Sequence, residues 1–527
     1  MANRPKKLPK ALQKLSKPRV DHIPGLVIAA PASNSGKTVV TLGILRALAN
    51  GDIAIAAAKA GPDYIDPAFQ HAASRRRCIN LDPWAMTQDA IRDLARWHIG
   101  ASAGALPDGQ SDGQSDGRFV LCEGVMGLFD GAAGGGGSSA DLAAMMDWPV
   151  VLVVDVRGQA ASAAAIIQGF ANFRPDVRIA GVILNRVGSP RHRDMIMEAC
   201  ARAVPDIPII GAVMRSNDLA LPERHLGLVQ AGEHPELEVF LERAGAIMAR
   251  DIDLDALLGL VRTQGTDHGR VAGTNGNDGT NDTDGDHGRD HLPEAGSQVQ
   301  DQAVAPKDDG AAVSRYVERF AQNNANYAAP VTIAPLGQHI AVARDDAFAF
   351  CYPHLIAGWQ AAGAKISLFS PLANEAPPQG CDAVYLPGGY PELHGAVLAA
   401  ADCFLDGLRD AARRNLPVYG ECGGYMVLGD CLVDGDGISH KMAGLLPLET
   451  SFHQRRLHLG YRLVDIRQQC PLGNVGAVLR GHEFHYASTI RADGEGWLNA
   501  RTADNRDLGP CGLQKGSVFG SFFHLIC

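Results

Sequence analysis

The sequence predicts an α/β protein of two domains, and three observations carry that expectation. Two strand–turn–helix segments stand far apart, one around Lys37 and one around Cys422. Each is set among short apolar runs that alternate with helical patterns, as in a parallel sheet covered by helices. Between them lies a long acidic stretch with no hydrophobic period. A chain of 527 residues also exceeds one ordinary core. With 46% hydrophobic and 20% charged residues, its composition is that of a soluble globular protein. No apolar run reaches about 18 residues, so no membrane helix is expected. A formal charge of −10 argues against a nucleic-acid partner. The 11 cysteines show no CxxC spacing, which speaks for a reducing cytoplasm over a disulfide framework or a zinc site.

Residues 1–22 form a basic tail, with Arg4, Lys6, Lys7, Lys10, Lys14, Lys17 and Arg19 against Asp21 and no apolar signal core. Gly25–Ala30 is a short strand, and Val39–Ala49 is helical. Between them Ser35–Gly36–Lys37–Thr38 ends a phosphate loop, although Pro31 stands where the pattern has its first glycine. Helix-start amides would hold phosphate, Lys37 would reach the terminal phosphates, and Thr38 would meet Mg²⁺. A strand over Ile53–Lys59 leads into Gly61–Pro62–Asp63–Tyr64–Ile65–Asp66–Pro67. Two carboxylates three apart between prolines read as a turn that could face a metal or substrate, or as a plain polar turn.

Asn80–Trp84 is a further polar loop, and Gly100–Gly117, with its repeated Asp–Gly–Gln–Ser, is a low-complexity surface loop. The strand Phe119–Cys122 ends at Glu123, well placed to hold Mg²⁺ beside a nucleotide. Strands Val150–Asp155 and Ile179–Leu184 bring Asp155 and Asn185–Arg186 to the same sheet edge, where Asn185 could read an adenine or simply make a turn. An amphipathic helix near Glu236–Met248 closes a first domain over 23–262. Residues 263–335 read as a flexible acidic linker, with ten acids against three bases from Thr266 to Gly310. Within it Ser314–Asn323 could be helical.

The second domain, 336–527, has strands at Ile340–Ala343, Lys365–Leu368 and Ala383–Leu386. The last runs into Pro387–Gly388–Gly389–Tyr390, whose free amides suit an oxyanion hole. Pro417–Val418–Tyr419–Gly420–Glu421–Cys422–Gly423–Gly424 then reads as strand and tight turn, a nucleophile elbow with Cys422 at its apex. The alternative is a buried structural cysteine. A thiolate needs a base, and His482, His485 and His524 compete for the role; spacing does not choose among them. His482–Glu483–Phe484–His485 lacks the HExxH spacing and reads as a turn lining a site.

These motifs together resemble the glutamine-dependent amide ligases. The second half is similar to a flavodoxin-like class I glutamine amidotransferase domain. There the resemblance implies Cys422 as nucleophile, His524 as base, and Gly388, Gly389 and Gly423 as the oxyanion hole. The common form of that domain has Pro and Glu after the histidine. Leu525 and Ile526 stand there instead, implying a Cys–His dyad. The first half resembles the three-layer dethiobiotin-synthetase-like P-loop ligases. Together, in order, the stretches resemble the cobyrinic acid and hydrogenobyrinic acid a,c-diamide synthase family. The resemblance implies ATP bound by Ser35, Gly36, Lys37, Thr38 and Asn185, and Mg²⁺ at Thr38, Glu123 and Asp63. It implies a corrinoid substrate at Asp63, Tyr64, Ile65, Asp66 and Asp130.

Glutamine would supply ammonia to an acyl phosphate formed from ATP, in a cytoplasmic monomer or homodimer without nucleic-acid or membrane partners. The ending Gly520–Leu525 favours the metal-free, aerobic substrate over the cobalt-containing, anaerobic one. The other readings are a cobyric acid synthase, and a P-loop regulatory ATPase with a ligand-binding amidotransferase-like module.

Overall fold

The computed structural model describes residues 22–101, 119–220, 223–224, 227–228, 236–262 and 332–527. Nearly all of the basic tail, the Asp–Gly–Gln–Ser loop, the acidic stretch and the Ser314–Asn323 segment lie outside these residues.

Seven strands build the first sheet: β1 (Gly25–Ala29), β2 (Ile55–Ala60), β3 (Cys78–Leu81), β4 (Phe119–Glu123), β5 (Val150–Asp155), β6 (Ile179–Val187) and β7 (Ile209–Met214). They lie in the order β3-β2-β4-β1-β5-β6-β7, and all pairings are parallel. Alternate strand residues point to opposite faces. Leu26, Ile28, Ala57, Leu121, Val151 and Val153 share one core with helices Lys37–Asn50, Asp66–Ser74 and Leu237–Asp251. Their neighbours Val27, Ala58, Val120, Leu152 and Val154 are equally buried on the other face. Burial on both faces explains the near-continuous apolar strands and makes the domain three-layered. The order reverses beside β1, so the β1 and β4 carboxyl ends open on a crevice where ligands of such sheets bind.

In the second domain, strands Lys365–Phe369, His339–Ala343, Ala383–Leu386, Val418–Glu421 and Val518–Ser521 lie side by side in that order and run parallel. A five-stranded antiparallel sheet is built on it, with Val478–His485 between His458–Ile466 and Phe523–Leu525. His482–Glu483–Phe484–His485 is therefore strand, where the sequence suggested a turn. It pairs on both sides, with His458–Ile466 and with Phe523–Leu525, and these long-range partners make it a strand.

Both domains belong to one compact unit. Among the contacts across them, Trp84 stacks on Tyr461 with ring centres 4.4 Å apart. The Tyr461 hydroxyl donates to the Asp82 carboxylate at 3.1 Å, and Arg480 donates to the Trp84 carbonyl at 2.5 Å. The Cys527 thiol donates to the Ala85 carbonyl at 2.7 Å. No helix among the described residues is long and apolar enough to cross a membrane.

Candidate active site

At the end of β1 the chain turns through Asn34 and Gly36, both in the left-handed region with φ of 62° and 82°. The helix Lys37–Asn50 begins at once, with no side chain capping its first amides and no acid in its first turn. Those free N–H groups and the helix dipole make a site for phosphate. Behind the loop, the Ser35 hydroxyl bonds the Ala32 carbonyl at 2.7 Å. The Asn185 amide donates to the Ser35 carbonyl at 2.8 Å, and its oxygen accepts from the Arg186 amide. Asn185 thus braces the loop here, so its expected place at an adenine edge draws no support from its contacts.

Glu123, fully buried at the end of β4, is the hub of this end. Its Oε1 accepts from Lys37 Nζ at 3.0 Å, Lys59 Nζ at 3.0 Å and Thr38 Oγ1 at 2.7 Å. Its Oε2 accepts from Gln70 at 2.7 Å. Burial would push this carboxyl up, but Lys59 and Lys37 beside it hold it well below the usual carboxylate range. Lys59 also pairs with Asp66, and against its own burial Asp66, Glu123 and Asp63 keep its ammonium charged. Burial and the nearby Asp63 raise Asp66.

The Asp63 Oδ1 accepts from the Ile65 and Asp66 amides at 2.9 and 3.0 Å, a cap on the helix that starts at Asp66. Only the first part of the expected turn is therefore non-helical, and Pro67 sits in the first helical turn, where its missing N–H costs nothing. Asp130 lies apart: it bonds the Gly127 amide and lines a separate hollow with Asp141 and Arg174.

The second reactive centre is the elbow. Cys422 has φ 45° and ψ −104°, a strained conformation between strand Val418–Glu421 and helix Gly423–Leu428. Packing permits it because glycines surround it. A Cβ on Gly424 would fall 2.0 Å from the Leu386 carbonyl oxygen, and one on Gly423 would fall 3.0 Å from the Gly389 nitrogen. The expected oxyanion turn thus meets the elbow directly. Gly388 is equally constrained, since its Cβ would lie 2.2 Å from Cε1 of His524.

His524 is fully buried, and neither ring nitrogen has a hydrogen-bond partner. Burial, with His482 and His485 nearby, pushes it down to about 3. The Cys422 thiol donates instead to the Phe484 carbonyl at 3.7 Å. Burial, with Glu392 near, raises it far above its ordinary value. Thiol and imidazole are thus both neutral. Of the competing histidines, His485 is tied to Glu483 at 3.1 Å and to the Ala487 carbonyl at 3.1 Å. His482 is held neutral at about 4 by burial and by Arg462.

One cavity of about 1320 Å³ runs from the phosphate loop to His482 and Phe484, while Cys422 and His524 stay buried behind its wall. Lys37, Thr38, Asp63, Tyr64 and Asp66 line it from the first domain, and Tyr461, His482 and Phe484 from the second. Tyr64 is the hinge piece. Its hydroxyl bonds that of Tyr352 at 2.6 Å, and its ring lies 5.2 Å from Phe350 and 4.5 Å from the His524 ring. Sequence reasoning gave no role to Lys59, Gln70, Phe350 or Tyr352. A lysine closing the small-residue strand IAAAKA was a legible sign of a buried partner; the two aromatics gave no local signal.

Residues 26–229 match the CobQ/CobB/MinD/ParA nucleotide binding domain, and residues 339–527 match the CobB/CobQ-like glutamine amidotransferase domain. Over 505 residues the chain is 48% identical to the hydrogenobyrinate a,c-diamide synthase of Brucella abortus, covering 95% of this chain and 98% of that one. Its likeness to the enzyme of that name from Sinorhizobium sp. is 46% over 506 residues, with 95% and 98% covered. For that from Rhizobium meliloti it is 45% over 506 residues, with 95% and 99% covered. With both domains in one chain and this identity along almost all of it, the chain belongs to the hydrogenobyrinate a,c-diamide synthase family of glutamine-dependent, ATP-using amidating ligases.

Proposed function

We propose that the protein converts the a and c side-chain carboxylates of hydrogenobyrinic acid to carboxamides, using ATP and ammonia drawn from glutamine. The supporting observation is the shared cavity, which runs from the phosphate loop past Tyr64 to His482 and Phe484 beside the thiol. Residues 23–262 would form the ligase domain and 336–527 the amidotransferase domain, with 263–335 as an acidic connector. Both centres lie in one chain, so a monomer suffices. The 11 free cysteines suit a reducing cytoplasm.

Lys37 and the helix-start amides take the phosphates of ATP, braced by Ser35, Gly36 and Asn185. The Thr38 hydroxyl and the Glu123 and Asp63 carboxylates are hard oxygen donors of the kind Mg²⁺ prefers; Glu123 accepts from Lys37, Lys59, Thr38 and Gln70, so it would exchange one of these bonds for the ion. When bound there, Mg²⁺ would neutralise charge on the transferring phosphoryl group. Asp63, Tyr64, Ile65 and Asp66 hold the corrinoid, and Asp130 would reach it from the separate hollow. A carboxylate is a poor electrophile, and its phosphorylation supplies the leaving group that ammonia displaces.

At the other end Cys422 attacks the glutamine amide, His524 carries its proton, and the Gly388, Gly389 and Gly423 amides receive the oxyanion. Purified protein with ATP, Mg²⁺, glutamine and hydrogenobyrinic acid should give a product carrying two acid-to-amide mass changes. A product from cobyrinic acid alone would move the substrate to the cobalt-containing branch. Four amidations of a diamide would mean a cobyric acid synthase, and nucleotide hydrolysis without amidation would mean a regulatory ATPase.

A further inference from the structure

We infer that Glu421, the residue immediately before the nucleophile, supplies the carboxylate that holds and orients His524. The inference rests on the reading of Cys422 and His524 as nucleophile and base. It replaces the dyad expected from Leu525 and Ile526 with a Cys–His–Glu arrangement whose acid comes from another strand.

The argument is one of hydrogen-bond capacity. An ionised carboxylate has about four acceptor positions. Glu421 is 1% exposed, and three donors reach it. Its Oε1 accepts from the Tyr419 hydroxyl at 2.8 Å and from the Leu525 amide at 3.2 Å. Its Oε2 accepts from the Tyr385 hydroxyl alone, at 2.8 Å. The free position is thus on Oε2, and Nδ1 of His524 lies 3.9 Å from that atom. On the other side of the gap, Nδ1 is buried without a partner. An unfilled acceptor and an unfilled donor therefore face each other in a dry interior, where each costs free energy until paired.

Of the other carboxylates at the elbow, Glu483 is already held by Arg462 at 2.7 Å and His485 at 3.1 Å, and Glu392 neighbours the thiol; among the described residues only Glu421 comes within 4.0 Å of a His524 nitrogen. The separation is longer than a hydrogen bond, and catalytic bonds of free enzymes commonly tighten in the substrate complex. The acid is placed by the chemistry of its neighbours: the amide of Leu525, the residue after the base, bonds the same carboxylate.

With Nδ1–H given to Glu421, Nε2 is the nitrogen open to the thiol. The Cys422 proton passes to Nε2 as Sγ bonds the glutamine amide carbon. Nε2 returns that proton to the amide nitrogen as the C–N bond breaks, so that ammonia leaves and a thioester remains. Water then attacks the thioester carbon, giving one proton to Nε2. The C–S bond breaks, the thiolate recovers that proton, and glutamate departs. Burial raises the Glu421 carboxyl to about 7 against the bonds from Tyr419, Tyr385 and the Leu525 amide; its ionised form fixes one tautomer and faces the imidazolium twice per cycle.

The test is a double-mutant cycle on the full-length protein. Glu421→Gln should lower the kcat for glutamine hydrolysis by about 10²-fold, within the range of general acid–base effects. The KM for glutamine and the amidation rate with ammonium salt should not change. In a His524→Asn background, Glu421→Gln should cost nothing further, because it acts through the imidazole. Wild-type kcat in Glu421→Gln, or the same loss repeated in the His524→Asn background, would overturn the inference. If Glu421→Gln loses ammonium-dependent amidation too, and so its fold, Tyr385→Phe takes its place in the cycle with the same two outcomes. The underlying reading fails separately, by Cys422→Ala and His524→Asn retaining glutamine-dependent amidation.

Discussion

Around the phosphate loop, Lys37, Lys59, Asp66 and Glu123 neutralise one another in a closed network. At the thiol end, by contrast, His524 lies among rings with no hydrogen bond at all. The first centre is assembled before substrate arrives, since its buried charges would otherwise be intolerable. The second is folded but unprimed, with its thiol pushed up and its imidazole pushed down, so that neither carries charge. The difference teaches that pre-organisation is spent where a charged ligand must be gripped. The ammonia source rests neutral until glutamine completes it.

The largest effects should come from removing one centre at a time. Lys37→Ala should lower amidation by about 10²-fold or more with either nitrogen source, the scale of losing one preorganised electrostatic contact. It should leave glutamine hydrolysis measurable. Cys422→Ala should do the reverse, ending glutamine-dependent amidation while ammonium salt still supports the ligase. Loss of both activities in either variant would mean that the two ends are not separable and that the contrast is false.

Gly388→Ala sharpens the contrast at the thiol end alone. Its methyl must displace His524, and a misplacement near 1 Å costs about 10²-fold. Steady-state glutaminase kinetics beside ammonium-dependent amidation would report it, and an unchanged kcat would remove His524 from the role of base.

A smaller effect follows from the neutral histidines of the second domain. Burial lowers His354 to about 4, so the unfolded chain binds its proton first, and the stability from this site is lost as pH falls below about 6.5. The stability advantage of the wild type over His354→Leu should therefore shrink by about 1.4 kcal/mol between pH 7.5 and 5.5. Urea unfolding at the two pH values checks this, and a constant gap would mean that the folded imidazole takes up its proton as readily as the unfolded one. The smallest effect is expected from deleting Thr266–Gly310. Both rates and their coupling should stay near wild type, and uncoupled glutamine hydrolysis would show that the acidic segment does more than connect.

Much of this was legible in local order. Gly36–Lys37–Thr38 after an apolar run, Glu123 at a strand end and Cys422 between glycines each declare their geometry through neighbours in sequence. What stayed hidden was long-range pairing. Nothing near Glu421 says that its carboxylate ends beside an imidazole 103 positions on, because that meeting is made by the sheet order placing Val418–Glu421 next to Val518–Ser521. Asn185, at the expected sheet edge, has a contact that sequence does not announce, its amide donating to the Ser35 carbonyl of the loop. His482–His485 read as a turn because its two strand partners, His458–Ile466 and Phe523–Leu525, are distant in sequence.

The contact of Tyr64 with His524 carries a thermodynamic consequence. Tyr64 belongs to the segment that faces the large cavity, and its ring lies against His524, the proposed base. If a corrinoid alters the affinity for glutamine through this ring, glutamine must alter the affinity for the corrinoid by the same factor. Calorimetric titration of each ligand with and without the other would measure that factor twice. In Tyr64→Ala it should fall toward one in both directions, turning a shared side chain into a number that closes a cycle.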